Sequence, residues 1–353
     1  LSSVIRAGGS GTRFGPASRI HHPKHLLPIC TKRPLVEETL DRISHLLPPE
    51  QILVVTNAGY AQMTRDLLSE LPPGNVIGEP VGRDTAACIG LAALILHVRD
   101  EDAVMAVMPS DQIIKPAEEF CNSLSAAADH IKKHPGALIA FGIKPTFPAT
   151  GYGYIKRGKA LKKYRDVPFF AVDAFKEKPD GKKAEAFLNQ GGFYWNAGIF
   201  IWRADTILDL MERFLPDLHA GLMRIKPVVD RPRLDDVLDS VYPGLQKISI
   251  DYGIMEKAEE RVVAEVSFDW DDVGSWKSLE RWLRPDEANN FGDGDYVCIE
   301  AENNIVSAHG GVVGLIGVEG LIVVHTPDAT LVCRKEEAEA VKELVLKLKQ
   351  EYK

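Results

Sequence analysis

Apolar and polar positions along this chain fall into two rhythms. Short continuous apolar runs (Val4-Ile5, Ile52–Thr56, Val76-Ile77, Ala103–Met108, Ala137–Phe141) read as strands buried on both faces, the pattern of a parallel sheet. Between them, Leu35–Leu47, Tyr60–Leu71, Ala86–Val98 and Ala117–His134 carry helical periodicity. Pro48-Pro49 and Pro72-Pro73-Gly74 end the first two. Further on, Gly181–Asn189, Ala204–Phe214 and Leu234–Leu238 read as helices, and another starts near Ser249 with Ser249 or Asp251 as its cap. Alternating strands and helices predict a doubly wound α/β sheet whose ligands sit at the carboxyl ends of the strands. From Asn289 the texture changes. Tyr296–Glu300, Asn304–Ser307, Val312–Ile316, Leu321–His325 and Thr330–Cys333 predict a small β domain, closed by an amphipathic helix at Glu336–Lys349. The expected boundary near Pro285–Gly292 gives domains 1–285 and 286–353.

Composition narrows the class. At 353 residues, 45% hydrophobic and 26% charged, the chain is long enough for a large domain and a small one. A net charge of −8 argues against nucleic acid as a partner. No apolar run approaches the roughly 20 residues that span a bilayer. No secretory h-region opens the sequence, so a cytoplasmic protein without membrane partners is expected. Cys30, Cys88, Cys121, Cys298 and Cys333 are an odd number with no C-x-x-C, which fits reduced thiols. His21-His22 beside the basic loop are not expected to be metal ligands.

The candidate chemistry begins where the first strand ends. Gly8-Gly9-Ser10-Gly11-Thr12-Arg13 brings backbone N–H groups close to a ligand, and Arg13, Arg19 and Lys24 add three cations, a device for holding a polyphosphate. A Walker loop is excluded because no Lys-Ser or Lys-Thr follows. The dinucleotide fingerprint fails at Phe14. Gly78–Ala86 is a turn into a helix with Asp84 or Thr85 as N-cap, and a loop with a carboxylate at a strand's end suits a purine base and its sugar. Asp111, after Ser110 at a strand's end, suits Mg2+, which takes one or two carboxylates. Gly151-Tyr152-Gly153-Tyr154 on an expected strand leaves room for a sugar. Glu177 can accept from sugar hydroxyls, Lys178 can meet a phosphate, and the amide of Asn196 suits a hydroxylated ring. Asp269, Asp271 and Asp272 crowd together, as carboxylates do around a cation, and Asp272 is preferred to Asp271 as a second metal ligand. Taken singly, each also fits a plainer reading: a tight turn, a helix cap, a β-bulge or a solvated charge run.

In order along the chain, the glycine loop, Glu79-Pro80, Ser110-Asp111, Glu177-Lys178-Pro179, Asn196–Phe200 and Asp272–Trp276 resemble the sugar-nucleotide pyrophosphorylases, and most closely the mannose-1-phosphate guanylyltransferases. Ser249–Lys257 and Trp195–Gly198 look specific to the mannose branch. The resemblance covers nearly the whole chain. It implies a Rossmann-like mixed sheet of the nucleotide-diphospho-sugar transferase type and a C-terminal left-handed β-helix serving homodimer contacts. Gly8, Gly9, Gly11, Thr12, Arg13, Glu79, Pro80, Thr85 and Ser110 would hold the nucleotide, with Arg13 and Lys24 on its phosphates. Gly153, Glu177 and Asn196 would hold the sugar and Lys178 its phosphate, and Asp111 and Asp272 would hold Mg2+. Arg13, Lys24, Asp111 and Lys178 would be catalytic. The implied reaction joins GTP and mannose 1-phosphate into GDP-mannose and pyrophosphate by in-line attack on the α-phosphorus. The alternatives are another nucleotide or hexose 1-phosphate, or a weakly catalytic regulator that binds GDP-sugar. Arg6, Gly15, His25 and Asp84 depart from the pattern, standing where an apolar residue, Trp, Gln and Asn are usual.

Overall fold

The computed structural model describes residues 1–9, 11–29, 31–349 and 352; Ser10 of the glycine loop and Cys30 lie outside the described residues. Two compact units are formed, neither continuous in sequence: 1–8, 39–110 and 114–270 make the first, and 9–38, 111–113 and 271–353 the second. In chain order, the strands among the described residues are β1 (Ser2–Ala7), β2 (Ile52–Asn57), β3 (Val76–Glu79), β4 (Val104–Pro109), β5 (Ile113–Lys115), β6 (Leu138–Ile143), β7 (Tyr154–Ala160), β8 (Phe169–Lys176), β9 (Phe193–Arg203), β10 (Arg261–Glu265), β11 (Asp269–Asp271), β12 (Phe291–Ile299), β13 (Ile305–Ile316), β14 (Leu321–Thr326) and β15 (Ala329–Arg334).

The first unit is built on a nine-stranded sheet of order β3-β2-β1-β4-β9-β6-β10-β8-β7. Its left half is parallel: Ile5 lies opposite Val54 on β2 and Met108 on β4, and β2 pairs in parallel with β3. β9 runs antiparallel to both β4 and β6, so the sheet is mixed. Val4, Ile5, Val54, Val55, Ala106 and Val107 are fully buried, as the continuous apolar runs require. The helix Asp84–Arg99 is buried on every side from Ala86 to Leu96. Gly90 lets it pack tightly, because a Cβ there would collide with Leu222 Cδ1. The parallel strands end at one edge, where Arg6 pairs with Pro109 and Asn57 with Glu79. Loops carrying the expected ligand residues leave from that edge.

In the second unit β12, β13 and β14 pair in parallel and β15 closes the sheet antiparallel. Its core draws Phe14 from the glycine-loop segment, Trp276, Ile305, Ile322, Val324 and Val341 into one cluster. Asn290 and Asn304, both buried, share a bond of 3.0 Å from Asn304 Nδ2 to Asn290 Oδ1, which satisfies amides that would otherwise be costly inside. Cys88, Cys121, Cys298 and Cys333 are free thiols.

Several expectations need correction. The expected strands Asn304–Ser307 and Val312–Ile316 are one long strand, which continues through Gly310 at φ +91°. The closing helix is a 3-10 segment, Lys335–Ala340, running into a short α-helix, Val341–Lys347. The helix expected from Ser249 is a five-residue π-helix, Asp251–Met255, a form that recurs at functional sites. Gly151–Gly153 precede β7 rather than lying on it. β8, β10 and the helix Pro216–Met223 are additional elements.

Candidate functional site

At the carboxyl edge of the first unit's sheet, Gly8 follows β1 and is exposed. Glu79 ends β3 and is buried, with the Tyr242 hydroxyl donating to its Oε1. Burial pushes its carboxyl up to about 7, although the Tyr242 bond and the Arg6 charge pull the other way. Pro80 follows, half-buried. Neither Asp84 nor Thr85 caps the next helix; Arg83 holds the cap position and gives no side-chain bond. Instead the Thr85 hydroxyl accepts from the Ile250 N–H at 2.8 Å, tying the π-helix segment to this loop. Asp84 sits at φ +62°, and its Oδ1 accepts from the Thr85 N–H at 2.7 Å. An Asp tolerates that left-handed backbone as an Asn does, which accounts for the replacement. Ser110 is fully buried, its N–H bonded to the Arg6 carbonyl at 3.0 Å, and its Oγ makes no hydrogen bond.

A second group in the same unit gathers Gly153, Glu177, Lys178 and Asn196. A Cβ on Gly153 would collide with Glu177 Oε2, so the glycine makes room for that carboxylate. The Asn196 N–H bonds the Gly153 carbonyl at 2.8 Å. The Asn196 side chain donates to Asp251 Oδ1 at 2.9 Å and accepts from the Gly198 N–H at 3.0 Å. Lys178 Nζ lies 3.3 Å from Glu177 Oε1, and its backbone holds φ +43°. A non-glycine residue in that region stores strain and marks a position worth testing for function. Burial, then the Asp251 charge, raises the Glu177 carboxyl above its ordinary value; burial likewise raises Asp251. Asp251 belongs to this group although the sequence offered it only as a cap.

In the second unit, Gly9 and Gly11 hold φ +100° and +61°, values that favour glycine. A Cβ on Gly11 would collide with Lys24 Cβ. Thr12 begins a three-residue 3-10 turn, Thr12–Phe14, so no long helix starts here. Arg13 Nε pairs with Glu339 at 2.8 Å, both side chains exposed. Lys24 is buried, and its ammonium donates to Asp111 Oδ2 at 2.9 Å, the Asp111 carbonyl at 3.0 Å and the Asp272 carbonyl at 2.7 Å. One cation therefore gathers both proposed metal carboxylate residues. Asp271 is buried and otherwise occupied: it accepts from the Val273 N–H at 2.7 Å, Arg281 Nη2 at 2.8 Å and Trp282 Nε1 at 2.9 Å, and also from Arg281 Nε. Val273 takes φ +47°, a strained value for a β-branched residue, immediately after Asp272. Gly15, where a Trp is usual, has its carbonyl bonded by Trp276 Nε1 at 3.2 Å, and a Cβ would lie 2.8 Å from Val345. His25 is buried, and burial brings its imidazole down to about 4.

The oxygen-only donor set of Asp111 and Asp272 fits a hard divalent cation such as Mg2+. Among the described residues no three His, Cys, Asp or Glu side chains converge to hold an ion unaided. No helix of the described residues is long and apolar enough to cross a membrane.

Known proteins match this chain along nearly its full length. A family model for nucleotidyl transferases matches residues 2–288, and a model for the mannose-phosphate isomerase/GMP-like β-helix domain matches 294–348. A mannose-1-phosphate guanylyltransferase of Escherichia coli is 35% identical over 98% of this chain and 75% of its own length. One from Klebsiella pneumoniae is 37% identical over 99% of this chain and 74% of its own. A crystal structure from Thermus thermophilus, described as a mannose-1-phosphate geranyltransferase, is 34% identical, covers 98% of each chain and superposes with a TM-score of 0.87.

Proposed function

The chain belongs to the mannose-1-phosphate guanylyltransferase family of nucleotidyl transferases, and from that premise we propose that it makes GDP-mannose and pyrophosphate from GTP and mannose 1-phosphate. A phosphate oxygen of the sugar attacks the α-phosphorus as the bond to pyrophosphate breaks opposite. No protein nucleophile takes part. The obstacle is bringing two anions together: at roughly 4 Å, two unit charges repel by about 4 kcal/mol at an effective dielectric of 20. Mg2+ held by Asp111 and Asp272 would supply charge neutralisation at the phosphates.

The chain's own residues do the rest. Lys24 holds the two aspartate segments together and neutralises Asp111. The exposed Arg13–Glu339 pair is worth about 0–1 kcal/mol, so Arg13 exchanges its partner readily for a phosphate. Gly8, Gly9, Gly11 and Thr12 offer backbone to the nucleotide, and Glu79, Pro80, Thr85 and Ser110 border base and ribose. Glu177 and Asn196 orient the sugar beside Gly153, and Lys178 meets its phosphate. A second copy of the chain is the proposed partner of the small β domain, 286–353, where Val297, Ile299, Val312 and Ile316 are exposed on β12 and β13. Sedimentation showing a monomer at all concentrations would refute that contact.

The observation that carries this reading is the convergence of Asp111 and Asp272 on one buried ammonium in a chain of this family. A panel of GTP, ATP and UTP against mannose 1-phosphate and glucose 1-phosphate, read by pyrophosphate release, tests it. Preference for GTP with mannose 1-phosphate is expected. Equal rates across the panel would refute the specificity, and GDP-mannose binding without turnover would favour a regulatory homologue.

A further inference from the structure

The loop after β3 and the segment that opens the π-helix are joined by two hydrogen bonds of opposite direction. The first N–H groups of a helix have no partner within it. In the helix Asp84–Arg99 the Ala86 N–H finds its partner outside, donating to the Ile248 carbonyl at 3.1 Å. In return the Ile250 N–H donates to the Thr85 hydroxyl at 2.8 Å, across 165 residues of sequence. Loop and segment therefore hold each other in register.

Asp251 comes next in the chain. Its Oδ1 accepts from Asn196 Nδ2 at 2.9 Å, and the Asn196 N–H donates to the Gly153 carbonyl at 2.8 Å. An ionised carboxylate accepts at both oxygens, so a sugar hydroxyl can share this group. The segment changes winding at this point. The Gly253 N–H bonds the Ser249 carbonyl at 2.9 Å in the α pattern, and the Glu256 N–H bonds the Asp251 carbonyl at 2.9 Å in the wider π pattern. A Cβ on Gly253 would lie 2.9 Å from Leu215 Cδ1, so packing fixes the far side of the segment. Its near side is tied through Thr85 and Ala86. Printed bonds thus run without a break from Thr85 through Ile250 and Asp251 to Asn196 and Gly153, all within the first unit.

Resting on the guanylyltransferase reading, we infer that Thr85 is a positioning residue that couples the two substrates. Its hydroxyl stands on the loop assigned to base and ribose. Through Ile250 it sets the Asp251–Asn196 pair that meets the sugar. A nucleotide that fixes the loop fixes the pair as well. GTP then raises the affinity for mannose 1-phosphate, and the sugar phosphate raises the affinity for GTP by the same factor.

The test uses a GTP analogue with a methylene bridge between its α and β phosphorus atoms, which cannot release pyrophosphate. Mannose 1-phosphate is titrated calorimetrically with Mg2+, with and without the analogue. In the wild type the analogue tightens sugar-phosphate binding about tenfold. Thr85→Val keeps the side-chain shape and removes the acceptor, and the factor falls to about one although each ligand still binds alone. Thr85→Ser keeps the hydroxyl and restores the factor. An unchanged factor in Thr85→Val, no coupling in the wild type, or no rescue by serine would overturn the inference. A second measurement needs no variant: amide hydrogen exchange across 248–255 of the wild type slows when the analogue alone is added. Exchange there that ignores the nucleotide also overturns it. A wild type that binds neither the analogue nor mannose 1-phosphate would instead count against the guanylyltransferase reading.

Discussion

Asp271 and Asp272 are adjacent carboxylates with opposite assignments, and their asparagine variants separate structure from chemistry. The Asp271 carboxylate takes four donated bonds, two from Arg281, one from Trp282 Nε1 and one from the Val273 N–H. An asparagine oxygen can keep the Val273 and Arg281 Nη2 bonds. Its amide NH2 must then face Arg281 Nε and Trp282 Nε1, two donors. Charge-assisted bonds contribute about 1.5–3 kcal/mol each. Breaking a buried pair by neutralising one partner costs about 3–5 kcal/mol. Arg281 is 46% exposed, so its charge is partly screened and the lower end applies, about 3 kcal/mol for Asp271→Asn. Asp272 holds Lys24 through its backbone carbonyl, which Asp272→Asn leaves in place. That variant should lie within about 1 kcal/mol of wild type yet lose a hundredfold or so in turnover. Urea titration followed by tryptophan fluorescence, which reads Trp276 and Trp282, is paired with steady-state kinetics. Asp271→Asn as stable as wild type, or Asp272→Asn fully active, would refute the division of roles.

Three further outcomes follow from the same geometry. Asp111→Asn should abolish metal-dependent turnover and cost about 1–2 kcal/mol, because buried Lys24 loses its counter-charge; a Mg2+-dependent, active variant sinks the assignment. Lys178→Ala should raise KM for the sugar phosphate far more than for GTP, and equal rises in both would count against its role. The Glu79 carboxyl titrates near 7 when folded and at its ordinary 4.5 when unfolded, so the folded state alone holds the proton between those values. Its contribution is therefore complete below pH 4.5 and is lost as pH rises through 7, by about 3 kcal/mol. Glu79→Gln should flatten that fall in urea midpoints measured from pH 5 to pH 8; an unchanged slope contradicts the burial argument.

The parts of the fold that were legible in the sequence have local causes. β2 and β4 are continuous apolar runs because both faces are covered, and Ala204–Phe214 carries a strong amphipathic stripe that ends where expected. β8 escaped although Phe169–Val172 is an apolar run: the run is short, and only Phe169 and Phe175 in the strand are buried, so the apolar positions do not follow one face. The two strands expected around Gly310 are one strand whose pairing with β12 shifts register between Ala308 and Val313, where Gly310 takes φ +91°. Among candidate residues, Lys24, Asp111 and Asp272 were nameable from motif order, but their meeting at one ammonium joins segments 87 and 248 residues apart. The choice of Asp272 over Asp271 depends on Arg281 and Trp282, ten and eleven residues further on, which no spacing rule indicates. Asp251 read as a helix cap because its partner Asn196 lies 55 residues away. Thr85 read as a cap for the same reason: its hydroxyl serves Ile250, from a distant segment.

The most direct measurement is product identification by phosphorus NMR after mixing the protein with GTP, mannose 1-phosphate and Mg2+. GDP-mannose and pyrophosphate should appear in equal amounts, and chelation of the divalent ion should stop both. Unchanged GTP and sugar phosphate, or pyrophosphate release that survives chelation, would contradict the account.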